Sequence, residues 1–292
     1  MSDARSASEV QTEAHADAAL TADRAETKYL LPRSGVRAFV QLAASKLAVH
    51  RFVGEGANLL PDPQHFVTSI YFDSVDHEHF RAAVADEEHN VKIRAREYYD
   101  LMPSLAELAT DSSQIVRYQP WVWFEVKQRV QGRSRKLRFR LDKRDVPAFF
   151  RGEHAAFSRS RPETPGAARE GDAGDASELA DIVRYLRSLS EPLQPSCLVN
   201  YRRLALQDAS ASLRVTVDLE VSYYAAPSDL WTRSHALVRG TFGAPAFTES
   251  SALVEVKSTG AAPPWLGREL ARLGVSPVSY SKFVHAARAV HG

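Results

Sequence analysis

A chain of 292 residues, 44% of them apolar, can bury a core large enough for one large domain or two small ones. Its 37 Lys and Arg nearly cancel its 36 Asp and Glu, so bulk charge calls for neither nucleic acid nor a membrane surface, and any electrostatic function must come from where the charges are placed. The single cysteine, Cys197, excludes an intrachain disulfide and a multi-cysteine metal site and points to a reducing, cytoplasmic setting; no run approaches ~18 apolar residues, which excludes a membrane-spanning helix.

Residues 1–23 are dominated by Ala, Ser, Asp, Glu and Thr without the apolar stretch of a signal peptide, and are expected as a disordered tail to a domain over 24–292. Alternation over 26–31 stops at Pro32; Ser34 is placed to cap a helix carrying Val36, Phe39, Val40, Ala43 and Leu47. A β-rich run follows at 67–73, then a short helix at 76–85. Three alternating segments come next, at 91–99, 121–130 and 135–141. Residues 152–176, rich in Gly, Ala, Pro, Ser, Arg and Glu and without a period, read as a mobile insertion. Leu179, Ile182, Val183, Leu186 and Leu189 form a helical stripe ended by Pro192. Strands are expected at 197–206, 213–223 and 252–258, with a further short one at 231–239. Two helices close the chain, at 264–273 with Gly274 as its stop and at 281–290. Many strands without βαβ alternation argue for an α+β fold, an antiparallel sheet or barrel with helices outside it.

In a strand, residues i, i+2 and i+4 share a face. Lys92, Arg94 and Arg96 therefore oppose Val91, Ile93 and Ala95; Glu125, Lys127 and Arg129 oppose Phe124, Val126 and Val130; Lys136, Arg138 and Arg140 oppose Leu137, Phe139 and Leu141. Arg214, Thr216, Asp218 and Glu220 oppose Leu213, Val215, Val217, Leu219 and Val221, Glu255 and Lys257 oppose Val254 and Val256, and Glu26 and Lys28 share a face in the same way. One such strand is ordinary: an apolar face on the core and a charged face in water. Across six strands the charged faces are mostly cationic and dense in Arg, whereas a solvated face mixes in Thr, Ser, Gln and both signs. Two like charges ~5 Å apart repel by about 3 kcal/mol at an effective dielectric of ~20. A dozen cations facing one cavity need an anion, and polyphosphate or a nucleoside triphosphate supplies it.

Eight short motifs run in order along the chain: Arg24-x-Glu26-x-Lys28-Tyr29, Thr68-Ser-Ile-Tyr-Phe-Asp73, Arg94-x-Arg96, Glu125-x-Lys127, Tyr201-x-Arg203-x-Ala205, Arg214-x-x-x-Asp218-x-Glu220, Glu255-x-Lys257 and Ser281-Lys282-Phe283. Together they resemble the polyphosphate-polymerase (VTC, vacuolar transporter chaperone) domain of the triphosphate tunnel metalloenzyme, or CYTH-like, superfamily. The resemblance covers everything but the tail and the 152–176 insertion. It implies a closed, eight-stranded antiparallel β-tunnel with peripheral helices, inward charged side chains and polyphosphate synthesis from ATP. By resemblance, Lys28, Arg94, Arg96, Lys127, Arg203 and Arg214 contact phosphate oxygens, with Lys257 beside them and Lys282 at one mouth. Lys92, Arg129, Lys136, Arg138 and Arg140 on the same faces, and Tyr201 in its motif, are expected as further phosphate-binding residues. Glu255 is expected to hold Mn2+ or Mg2+, with Glu26, Glu125 and Glu220 as the other carboxylates that would serve. The expected partners are ATP and inorganic polyphosphate or triphosphate. Arg offers phosphate a planar fork of donors and Lys a compact charge; phosphoryl transfer needs positioning and charge neutralisation rather than a nucleophilic side chain. One position departs from the pattern: the eukaryotic polymerase has a further lysine two residues before the Ser-Lys-Phe triplet, where this chain has Ser279.

Other features read as structural. His77 and His79 are two apart, do not share a helix face and are expected as a surface pair; Gly54-x-Gly56 is too short for a phosphate loop; Cys197 is expected as inert packing. Trp121 and Trp123 are expected at a sheet edge rather than on an adenine ring. The rival functions are hydrolysis of triphosphate or short polyphosphate by the same fold, a non-catalytic polyphosphate- or inositol-phosphate-binding module, and a nucleic-acid-binding barrel, against which the near-neutral charge speaks.

Overall fold

Ten strands form among the described residues of the computed structural model, which are 25–50, 64–99, 121–130, 133–150, 180, 182–189, 191–227, 230 and 239–292, and neighbouring strands run antiparallel in the pairs that carry the site. The expected tail, Arg24, Gly54-x-Gly56, the 152–176 insertion, Leu179 and the expected strand from Trp231 lie outside them, although Arg239 is described, in a short 3-10 turn. In chain order the elements are β1 (Ala25–Leu31), α1 (Arg33–Ala44), β2 (Ala48–Val49), β3 (Gln64–Asp73), α2 (Glu78–Ala85), β4 (Asn90–Tyr99), β5 (Trp121–Val130), β6 (Arg133–Asp142), α3 (Val146–Phe150), β7 (Gln194–Gln207), β8 (Leu213–Ala225), β9 (Phe247–Thr248), β10 (Ala252–Ser258), α4 (Pro264–Arg272) and α5 (Lys282–His291). No described helix is long and apolar enough to cross a membrane.

Eight long strands follow the order β1-β10-β8-β7-β3-β4-β5-β6, with β2 added to β7 and β9 to β8. Among the described strands the path ends at β1, next to β10, and at β6, next to β5; the far edge of β1 meets only an isolated bridge from Tyr29 to Pro277, so the expected closed eight-stranded barrel is corrected to an open path. Alternation fixes the face of each side chain but not whether the last strand finds the first; closure depends on tilt and shear. The end strand β6, Arg-Ser-Arg-Lys-Leu-Arg-Phe-Arg-Leu-Asp, has the charged composition that protects sheet edges.

The chain divides into two compact units, one of Met1–Gln64, Arg203–Leu219 and Ser250–Ser279, the other of His65–Arg202, Glu220–Glu249 and Tyr280–Gly292. In the first, alternation sends Leu31, Leu204, Leu206, Leu213, Val215, Val217, Ala252, Val254 and Val256 to a core closed by Phe39 and Ala43 of α1 and Leu266 and Leu270 of α4. Helix α1 starts earlier than expected: Pro32, with φ −55° and ψ 142°, ends β1 and opens the helix directly, so Ser34 lies inside the first turn and no side chain caps it. Pro264 in the first turn of α4 and Gly274 beyond its end, at φ 71°, are as expected.

In the second unit Ile93, Ala95, Val122, Phe124, Val126, Leu137, Phe139 and Leu141 face a core with Ile70, Phe72, Phe149 and Ile182. Burying a side chain of this kind contributes roughly 1.5–3 kcal/mol, and a one-residue slip would exchange the whole apolar set for the charged one. Register is therefore fixed by the apolar side, and the cations take the other face. Glu97 is the exception: it lies on the core face of β4, buried, and pairs with Lys143 just beyond β6. On the opposite face, Phe283, Ala286 and Ala287 of α5 pack on Val67, Tyr71, Val199, Tyr201, Val221 and Tyr223. The carboxylate of Asp73 accepts from the backbone N–H groups of His79 and Phe80, both at 2.9 Å, and so caps α2 from outside the helix. The expected surface pair of histidines is corrected. His79 is buried, with Nδ1 3.1 Å from Asp73 and Nε2 3.3 Å from the Tyr185 hydroxyl, while His77, at φ 56°, lies against the His291 ring at 4.2 Å.

Candidate functional site

Three rows of side chains cross β4, β5 and β6 on the face turned away from the second unit's core. Cα register pairs Lys92 with Lys127 and Lys127 with Lys136; Arg94 with Glu125 and Glu125 with Arg138; Arg96 with Trp123 and Trp123 with Arg140. Adjacent strands are ~4.8 Å apart, so the expected cations stand as a grid. Glu125, fully buried, is its centre: Oε2 accepts from Arg94 Nε at 2.7 Å and lies 2.6 Å from Nη2, while Lys136 Nζ is 3.0 Å from Oε1. Arg94 Nη1 also reaches the Tyr71 hydroxyl at 3.4 Å. Arg96, buried, donates to Ser69 Oγ and to the Tyr98 hydroxyl, both at 3.2 Å. Arg138 lies 3.7 Å over the Trp123 ring, so Trp123 has the grid's parity and carries a guanidinium. Lys92 and Lys127 are half-buried, Arg129 is exposed at the end of β5, and Arg140 is placed by its backbone while its side chain lies outside the described residues.

Three groups of different chemistry in this grid are shifted from their ordinary values. Burial opposes the charge of Glu125, yet Arg94, Lys136, Arg96 and Arg138 hold its carboxyl well below the usual range. The Lys136 ammonium is pulled below its ordinary value by burial and by Arg138 and Arg94, against Glu125. The Tyr98 phenol is pulled down too: burial raises it, and Arg96, Lys136 and Arg138 outweigh that. The downward shifts of Glu125 and Tyr98, against their burial, are those of a positive field, whereas that of Lys136 is first of all an effect of burial. Arg94 and Arg96 move upward, because carboxylate and phenols outweigh their burial.

The third motif region of this unit comes from α5. Ser281 caps the helix by accepting from Val284 N, Phe283 stacks on Tyr71 at 5.0 Å, and Lys282, nearly buried, places Nζ 4.9 Å over the Tyr201 ring. Thus Tyr71, Tyr201, Arg94, Arg96 and Lys282 share one neighbourhood.

The first unit carries a second cluster. Its rows are Glu26–Lys257–Arg214 and Lys28–Glu255–Thr216 across β1, β10 and β8. Glu26 lies 3.1 Å from Lys28 Nζ and 3.6 Å from Lys257 Nζ. Arg214 donates through Nε to Gln207 Oε1 at 2.8 Å and through Nη2 to His50 Nε2 at 3.1 Å; a guanidinium can only donate, so that ring nitrogen is unprotonated. Arg203 is clasped by Asp218, Nε to Oδ1 at 2.6 Å and Nη2 to Oδ2 at 2.7 Å, and Nη2 also reaches Glu255 Oε2 at 3.3 Å.

No cluster of three His, Cys, Asp or Glu that would hold a metal occurs among the described residues. A divalent ion would have to complete its shell with substrate oxygens, as Mg2+ commonly does. Glu255 fits that arrangement. Its register partner Thr216 has a buried Oγ1 without a hydrogen-bond partner, so one carboxylate and one hydroxyl face each other across β10 and β8. The other carboxylates fit less well: Glu26 stands between two lysines and Glu125 is sealed by Arg94 and Lys136. Glu220, 39% exposed, turns to Arg202 at 3.4 Å and Arg239 at 3.6 Å. Its left-handed φ of 55° breaks the alternation of β8, so parity counted from Arg214 fails there.

Sequence reasoning gave no role to Asp218, Thr216, Tyr71, Ser69, Tyr98 or His50. A signal existed for Asp218. The Asp208 N–H bonds the Leu213 carbonyl across the turn from β7 to β8, and Arg203 and Asp218 lie equally far out from it on the two strands.

A family model described as the VTC domain matches residues 23–291. No curated protein matches the chain. Among solved structures, a Bacillus halodurans protein provisionally named an adenylate cyclase aligns with a TM-score of 0.44 and 13% identity, over 88% of this chain and 92% of its own.

Proposed function

Because the chain belongs to the VTC domain family, we propose that it is a metal-dependent polyphosphate polymerase that passes the γ-phosphoryl group of ATP to a growing polyphosphate chain. The observation that supports this most is the β4–β6 grid, in which Lys92, Arg94, Arg96, Lys127, Lys136 and Arg138 surround one sealed carboxylate, Glu125. Arg94 and Arg96, tethered by Glu125, Ser69 and Tyr98, present fixed donors to phosphate oxygens. Arg203 does so from its clasp on Asp218. Glu255 with Thr216 would hold Mn2+ or Mg2+, which when bound neutralises charge at the transferring phosphoryl group. The attacking oxygen belongs to the terminal phosphate of the acceptor. Its bond to the γ-phosphorus forms as the bond to ADP breaks, and the electron pair leaves on the β-phosphate. Incubation with ATP and Mn2+, read by gel and phosphorus NMR, should show internal phosphates growing with ADP. Release of inorganic phosphate alone selects a second reading, hydrolysis, which Ser279 favours, because a lysine stands there in the polymerase that the sequence resembles. Neither product, with triphosphate still bound, would leave a binding module.

Binding should also rise with chain length. Each added phosphate meets further cations along the rows, and a charge-assisted hydrogen bond contributes ~1.5–3 kcal/mol, so affinity should climb about tenfold or more per step from phosphate through pyrophosphate to triphosphate and fall with salt. Calorimetric titration measures this; equal affinity for phosphate and triphosphate contradicts the grid as the binding surface.

A further inference from the structure

We propose, resting on the polyphosphate reading above, that Asp218 is a positioning residue that holds the Arg203 guanidinium ready for a phosphate group. Asp218 is fully buried and its two oxygens take Nε and Nη2 of one arginine at 2.6 and 2.7 Å. On the β10 and β1 side its register neighbours are the apolar Leu253 and Leu30, and on β7 it meets the Arg203 guanidinium. The core of the unit lies on the other face and closes without this pair. A buried ion pair is poor value as a stabiliser, because desolvation offsets its attraction and an apolar pair of the same volume serves as well. Its use here is orientation. A free arginine side chain samples many rotamers, and ordering it weakens each contact that it makes. Two parallel hydrogen bonds along the Nε–Nη2 edge fix the guanidinium plane in advance, so that a phosphate oxygen takes the place of the longer 3.3 Å contact to Glu255.

The test lies in the sign of the effect. A carboxylate close to a phosphate site repels phosphate, so charge alone predicts that Asp218→Asn tightens triphosphate binding. Positioning predicts the reverse. Without metal, triphosphate should bind Asp218→Asn about tenfold more weakly than wild type in calorimetry, the scale of one charge-assisted hydrogen bond. The double variant Arg203→Met/Asp218→Leu removes both buried charges, should melt like wild type, and should bind triphosphate at least as weakly as Asp218→Asn. Where the single variant does not fold, Asp218→Glu, which keeps the charge and displaces the clasp, should bind triphosphate more weakly than wild type, and wild-type binding by it overturns the proposal. Binding by Asp218→Asn as tight as wild type or tighter overturns the proposal, and so does wild-type binding by the double variant. If wild type itself binds no triphosphate, the polyphosphate reading falls and the positioning role falls with it; if wild type binds and only the variants disagree, the positioning role alone is lost.

Discussion

Glu255→Gln should bind triphosphate in the absence of metal as well as the wild type or better, and should lose phosphoryl transfer with Mn2+ or Mg2+ by roughly 100-fold or more. The side chain stands on β10 between Lys28 and Thr216 in register, and its carboxylate reaches Arg203 at 3.3 Å. Glutamine keeps the shape and an acceptor for Arg203, but it removes the charge. The surroundings become more positive, which favours a polyanion. What disappears is the anionic donor that fixes a divalent ion beside the phosphate chain, and phosphoryl transfer relies on that neutralisation. A second measurement is independent of turnover: manganese EPR with triphosphate present should show the ion held by wild type and not by the variant. A salt-bridge role alone gives the opposite pattern, a lower melting temperature with metal dependence intact. Turnover near that of wild type would remove Glu255 from the metal site and pass the role to Glu26, the carboxylate nearest in register through Lys257.

Much of this site is visible in the sequence because a strand's period of two is a property of the chain itself. Lys92, Arg94 and Arg96 have no choice of face once Ile93 and Ala95 are buried, and the same holds for Glu125 and Lys127 between Phe124 and Val126. The parity argument stops where the backbone breaks period. Glu220 adopts a left-handed φ, and nothing in the residues around it announces that. It also stops at contacts between elements. Glu97 alternates as a core residue and is buried against Lys143, a partner that lies outside every alternating segment. Asp73 closes the Thr68–Asp73 motif and caps α2, although the motif reads as a strand end. Whether a sheet closes is set by the tilt and shear of many strands together, and the open ends at β1 and β6 could not be read from any one of them.

Glu125→Gln should lower stability sharply, and triphosphate should restore more of it than the same ligand adds to wild type. Glu125 is fully buried with Arg94 at 2.6–2.7 Å on one oxygen and Lys136 at 3.0 Å on the other, and Arg138 is its register neighbour. Removing one partner from a buried set of charges costs about 3–5 kcal/mol, because the remaining charges stay buried and repel. For a chain of this size that is a fall in Tm on the order of 10 °C. Its pH dependence has a defined sign. Burial raises the carboxyl and the surrounding cations lower it by more, so its folded value lies well below its unfolded one near 4.3. The stabilisation is therefore present above that unfolded value and is lost only as pH falls through the depressed folded one. The gap in Tm between wild type and variant should stay level from pH 7 to about pH 5 and close only in stronger acid. Asp218 and Glu125 differ in what they leave behind. Asp218 clasps the Arg203 guanidinium by two hydrogen bonds, and its loss lets that donor wander. Glu125 sits among four cations, Arg94 keeps its contact with Tyr71, and the dominant loss is neutralisation, which a bound polyanion can supply. Scanning calorimetry with and without metal-free triphosphate separates the cases. Equal ligand-induced shifts in Tm for wild type and Glu125→Gln would mean that triphosphate does not reach the grid, and the β4–β6 face would then lose its place as the phosphate-binding surface.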